Sequence, residues 1–137
     1  MKRRNKRIIY LFVVFCFLLS LGKIAAESWT TGYVTIPPTG GAGYSEEYNI
    51  KQNESRWAGF WGDSLPNAFG YTATLVNSGK YIRSDTVELK KSETTWADNN
   101  SGKPGYYYYA RVNSRFYEPN WSRVTLQFTA AYTQNKF

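Results

Sequence analysis

Two stretches near the carboxyl end alternate apolar and polar residues more strictly than any other part of the chain, and this period of two limits the fold before composition is considered. Along Tyr106 to Tyr117 the even positions are Tyr106, Tyr108, Ala110, Val112, Ser114 and Phe116, and the odd ones are Tyr107, Tyr109, Arg111, Asn113, Arg115 and Tyr117. From Arg123 to Thr133, the residues Val124, Leu126, Phe128, Ala130 and Tyr132 alternate with Arg123, Thr125, Gln127, Thr129 and Ala131. Successive side chains of an extended strand point to opposite faces, so each stretch has one face suited to a core and one suited to water. The turn residues Glu118 to Ser122 between them predict an antiparallel hairpin with its even face in the core.

Upstream the strand signals are shorter. Ser28 to Ile36 reads as a first strand, stopped by Pro37 and Pro38, which cannot donate to a ladder, and the glycine-rich Thr39 to Gly43 reads as a flexible loop rather than a phosphate cradle. Tyr48 to Gln52 and Arg56 to Trp61 are strand-like, and Trp57, Gly59 and Trp61 share one face if the second is extended. Gly70 to Val76 alternates, and Asn77 to Lys80 turns it into a return strand whose odd positions Tyr81, Arg83, Asp85, Val87 and Leu89 are charged in the middle. A bulge near Ser84 or Asp85 resolves that conflict. Ser92 to Trp96 is a short strand and Asp98 to Gly105 a loop. No stretch after residue 26 has helical spacing over three turns, so the class is all-β: a single antiparallel β-sandwich of about seven strands, with an open barrel as the alternative.

The amino terminus has a different logic. Lys2, Arg3, Arg4, Lys6 and Arg7 precede an apolar run from Ile8 to Leu21, and Ala25 and Ala26 close the segment, which is the pattern of a helical signal peptide over residues 1–26 with cleavage after Ala26. Residues 27–137 are then a secreted domain. The alternative is a membrane anchor through an uncleaved leader, but the run is shorter than the ~20 residues of a spanning helix and Lys23 interrupts its extension. Cys16 lacks the small residues of a lipidation box before it, and residues 133–137 contain no sorting motif. The leader takes six of the 17 basic residues and none of the ten acidic ones, so residues 27–137 carry a net charge of only +1. A net charge that small removes the argument for nucleic acid as a partner.

Without its leader the chain has no cysteine, histidine or methionine. Disulfides, thiol nucleophiles, imidazole bases and nearly all zinc sites are excluded, and no cofactor is implied. Burial must hold the domain together, and 21 of its 111 residues are Trp, Tyr or Phe.

The odd face of the terminal hairpin is the main candidate surface: Tyr107, Tyr109, Arg111 and Arg115 fall in line, with Arg123 supplied by the neighbouring strand. Aromatic plates stack on sugar rings and guanidinium groups grip anions with paired hydrogen bonds. Among Trp29, Trp57, Trp61, Trp96 and Trp121, three are expected to be mainly structural. Trp121 is the one expected to be exposed in its turn, and Trp57 with Trp61 is a candidate platform beside Asp63. Catalysis would require paired carboxylates from Asp63, Asp85, Asp98 and Glu118, whose spacing brings no two together, so no enzyme is expected. The Asp98-Asn99-Asn100 loop lacks the ligand order of an EF-hand, and no metal site is expected.

Glu27-Ser28-Trp29-Thr30-Thr31-Gly32-Tyr33 directly after the leader, with the Tyr-rich segment Tyr106 to Tyr109 near the end, resembles small exported all-β proteins of Gram-positive bacteria, including lactococcin-type bacteriocins. The shared W-x-x-G-Y covers five residues and transfers no residue role. What the resemblance implies is a released protein acting on the envelope of neighbouring cells. Three functions are therefore carried forward: a non-catalytic secreted protein that touches an envelope component or glycan, a carbohydrate-binding module using exposed Trp and Tyr, and a small carboxylate-dependent glycoside hydrolase.

Overall fold

The computed structural model describes residues 27–133. The expected signal peptide, residues 1–26, lies outside them, as do residues 134–137. The described chain is all-β, with nine strands: β1 (Thr30–Ile36), β2 (Ala42–Tyr44), β3 (Asn49–Ile50), β4 (Ala58–Ser64), β5 (Tyr71–Asn77), β6 (Val87–Leu89), β7 (Thr94–Ala97), β8 (Tyr107–Ser114) and β9 (Ser122–Thr129). A first sheet runs β1-β9-β4-β7, and a second runs β2-β8-β5-β6 with β3 also on β8; all these pairings are antiparallel. Val34, Phe60, Val124, Leu126 and Phe128 of the first sheet join Tyr71, Leu75, Ala110 and Val112 of the second in one buried cluster, a sandwich-like arrangement. Full burial of each large apolar side chain contributes roughly 1.5–3 kcal/mol. The count exceeds the expected seven because β2 and β3 are very short, and β2 occupies the end of the segment read as a loop.

The alternation in β8 and β9 sets their faces as expected, with Tyr108, Ala110, Val112, Val124, Leu126 and Phe128 all buried. The pairing does not follow the expected hairpin. β8 lies between β5 and β2, and β9 between β1 and β4, so the connection from Ser114 to Ser122 crosses from one sheet to the other. Period-two patterning says which face is apolar and nothing about which strand lies alongside. Two apolar faces can meet across a core as readily as side by side. The crossing loop is tied to the β1–β2 corner by backbone bonds from Gly40 to Arg115 O (2.9 Å) and Thr39 to Glu118 O (2.8 Å). Tyr106 and Phe116, at either end of the alternating stretch and expected in the core, are 64% and 80% exposed because they fall beyond the ends of β8.

At that corner Gly43 is required by close approach. A Cβ there would lie 2.2 Å from Thr35 O, so β2 passes against the backbone of β1 with no room for a side chain. In the return strand after β5, Val76 opposes Ile82 while Ala73 opposes Val87, so two extra residues are accommodated between the pairs. Ser84 turns inward at this irregularity and its hydroxyl accepts the Leu75 N–H at 3.0 Å, which places the expected bulge.

One end of the sandwich is closed by polar side chains. The Asn49 amide donates to Ser28 O (2.9 Å) and Thr30 Oγ1 (3.0 Å), and its oxygen accepts the Ala130 N–H (2.8 Å). The Ala130 carbonyl accepts from Asn100 Nδ2 (2.6 Å) and Lys51 Nζ (3.0 Å), and Lys51 also donates to Ser55 O. Lys51 is 1% exposed. Burial pushes its ammonium down from 10.5 to about 8, against the opposing attraction of the Glu54 carboxylate.

Candidate functional site

The outward face of β8 carries Tyr107, Tyr109, Arg111 and Asn113, as the alternation requires. The register places their neighbours: Ile50 beside Tyr107, Val76 beside Tyr109, and Tyr44 and Thr74 on either side of Arg111. Tyr48, in the loop between β2 and β3, lays its ring on Tyr107 with centroids 4.5 Å apart and planes 23° off parallel, and meets Tyr109 edge-on at 6.4 Å. Both Tyr48 and Tyr107 are about half exposed. Tyr44 is capped by the Lys80 ammonium at 4.7 Å. The result is a row of tyrosines leading to a guanidinium.

Beyond Tyr109 a groove of about 560 Å³ opens, lined by Arg111, Arg115, Asn113, Thr74, Thr86 and Phe116 among others. The Arg111 Nε is buried and has no hydrogen-bond partner among the described residues. A guanidinium donor in that state is unfavourable unless another acceptor reaches it. Thr74 and Thr86 hydrogen-bond each other at 2.7 Å. Arg115 is partly engaged, with Nε donating to Phe69 O (3.4 Å) and Nη2 standing 3.9 Å from Glu88 Oε1. At the far end Phe69 and Tyr117 meet edge-on at 4.9 Å, and Phe69, Phe116 and Tyr117 are all exposed.

Four of the eight expected binding residues are therefore brought together: Tyr107, Tyr109, Arg111 and Arg115. Arg123 is not, because β9 belongs to the first sheet; its guanidinium sits 6.0 Å from the Tyr33 ring on the opposite side of the molecule. Trp57 and Trp61 form no platform. Trp57 precedes β4 and is covered by the Arg56 guanidinium at 4.8 Å, while Trp61 stands on the outer face of the first sheet. Trp121 is 67% exposed in the crossing loop, as its turn predicts. Trp29, Trp57 and Trp61 are partly buried and Trp96 and Trp121 exposed, so none of the five lies in the core, which aliphatic residues, Phe60, Phe128 and Tyr71 fill instead. Tyr48 was missed because its segment alternates with the faces inverted: the polar Asn49 and Lys51 are buried, and Tyr48 on the apolar side points outward.

Of the four candidate carboxylates, Asp63 is exposed near the end of β4 and the other three are engaged in local structure. Asp85 and Asp98 meet at one loop, but the Asp85 carboxylate accepts both of its bonds from Asn99 Nδ2 (3.2 and 3.0 Å), and Asp98 accepts the Asn99 N–H (2.8 Å) and faces Arg56 at 3.8 Å. Glu118 is buried and accepts the Asn120 N–H at 3.3 Å. Among the described residues no three acidic, histidine or cysteine side chains gather as a metal site would need, and no helix is long and apolar enough to cross a membrane. No family model matches the chain.

Proposed function

We propose that the protein is a secreted, non-catalytic binding domain that acts by contact at the cell envelope, using the outer face of the second sheet. The observation that carries this reading is the outer face of β8, where the Tyr48–Tyr107 stack, Tyr109 and the Arg111 guanidinium that lines the neighbouring groove stand in one row. Stacked phenol rings offer a flat surface to sugar C–H faces, and Arg111 with Arg115 offers paired donors to a phosphate or carboxylate. The partner that fits both is an anionic envelope glycan. Release after Ala26 and antagonism of neighbouring cells are the setting that the leader and the resemblance imply.

The test is retention of the purified protein on isolated cell walls. Retention should fall as salt rises, because exposed charge pairs are screened, and Arg111→Ala should weaken it by about tenfold, the effect of one charge-assisted hydrogen-bonded contact. Retention indifferent to both salt and Arg111→Ala would refute the reading.

A further inference from the structure

The outer face of the first sheet is a separate surface, built by register. One cross-sheet row runs Trp96 on β7, Gly59 on β4 and Thr129 on β9; the next runs Thr94, Trp61, Gln127 and Thr31. Gly59 leaves a gap in the first row, and the Trp29 indole reaches over it: a Cβ on Gly59 would lie 2.8 Å from Trp29 Cη2 and 3.0 Å from Tyr132 Cδ1. Tyr132 holds the arrangement together, edge-on to Trp29 at 6.1 Å and parallel to Trp96 within 9° at 6.3 Å. Glu27 fastens it from below by accepting the Trp29 Nε1–H (3.4 Å) and the Thr133 N–H (2.8 Å).

Between Trp29 and Trp61 this leaves a cleft of about 300 Å³ whose remaining lining is Thr94 and Gln127. No charged side chain lines it. The Gln127 amide and the Thr94 hydroxyl have no hydrogen-bond partner among the described residues, and neither is sealed from solvent. The cleft thus combines two indoles with a free amide, which is donor and acceptor at once, and a free hydroxyl.

We infer that this cleft is a binding site for an uncharged pyranose sugar. A pyranose presents one largely C–H face and a rim of hydroxyls. Indole surfaces take the first and the unspent groups of Gln127 and Thr94 take the second. The volume is at the low end for small-ligand sites, which suits one or two rings, and the uncharged lining selects against anionic ligands, whose desolvation it does not offset. The site is independent of the second-sheet surface and lies on the other side of the sandwich, so one molecule presents a neutral-sugar site and an anion-binding face in opposite directions.

The experiment titrates the purified protein with methyl glucoside, galactose, mannose, N-acetylglucosamine, cellobiose and chitobiose, and follows tryptophan fluorescence and amide NMR shifts. At least one sugar should give a saturable response that shifts the Gln127 and Thr94 amides. Trp61→Ala and Gln127→Ala should each weaken it about tenfold or more, while Arg111→Ala leaves it unchanged. Gln127→Ala removes only a half-exposed side chain, so its thermal unfolding, measured alongside, should match the parent. No saturable response to any of these sugars, an undiminished response in both cleft variants, or a response lost with Arg111→Ala would each overturn the inference. Wall retention through the second sheet can fail without affecting this result, and the reverse also holds.

Discussion

Lys51 should make stability rise with pH between about 8 and 10.5. Its ammonium is buried against the carbonyls of Ala130 and Ser55, and burial lowers its pKa from 10.5 in the open chain to about 8 in the fold. In that window the unfolded chain binds more protons than the folded one, so unfolding becomes harder as pH rises from about 8 towards 10.5. Below pH 8 the ammonium is charged in both states and the full cost of burying it remains. At roughly 1.4 kcal/mol per unit the whole effect is on the order of 3 kcal/mol, of which about 2 kcal/mol should appear between about pH 7 and about pH 9.5. Lys51→Met keeps the length of the side chain and removes the titrating group. Urea unfolding of both proteins at the two pH values isolates the lysine, since whatever else the two proteins share cancels in the difference. Parental stability should gain about 2 kcal/mol on Lys51→Met over this range. Parallel pH dependence in the two proteins would refute the account of the buried amine.

Gly43→Ala should cost about 3 kcal/mol or more in urea unfolding, since its Cβ would meet the Thr35 carbonyl oxygen at 2.2 Å and a strand backbone yields less than a side-chain end. Asn49→Ala should cost about 2–3 kcal/mol and speed hydrogen exchange at the Ala130 amide, which loses its acceptor when the Asn49 oxygen is removed. Tyr48→Ala should weaken wall retention about fivefold with little change in stability, by removing the ring stacked on Tyr107.

The faces of the long strands were legible in the sequence, and of the partnerships the hairpin of β5 with its return strand was, but that of β8 and β9 was not. Val112 and Phe128 are inside because strict alternation places them there, and the charged middle of Tyr81 to Leu89 correctly marked the irregularity that Ser84 fills. The error about β8 and β9 came from reading a short connection as a hairpin. The crossing loop is tied down by backbone bonds from Thr39 and Gly40, and backbone groups leave no trace in residue identity. That error moved Arg123 to the wrong surface. Lys51 was invisible for another reason: it sits in the polar run Lys51-Gln52-Asn53-Glu54, and only the carbonyls of distant Ala130 and nearby Ser55 make its burial tolerable. Trp29, Trp96 and Tyr132 converge only because strands from four places in the chain align over Gly59, so no local pattern announces the cleft.

Arg111 and Arg123 occupy opposite sides of the molecule, and only the former lies in the proposed contact surface. Retention of Arg111→Ala and Arg123→Ala on the same preparation of cell walls tests this directly. Arg111→Ala should lose about tenfold in affinity while Arg123→Ala binds like the parent. Equal losses in both, or a loss confined to Arg123→Ala, would contradict it.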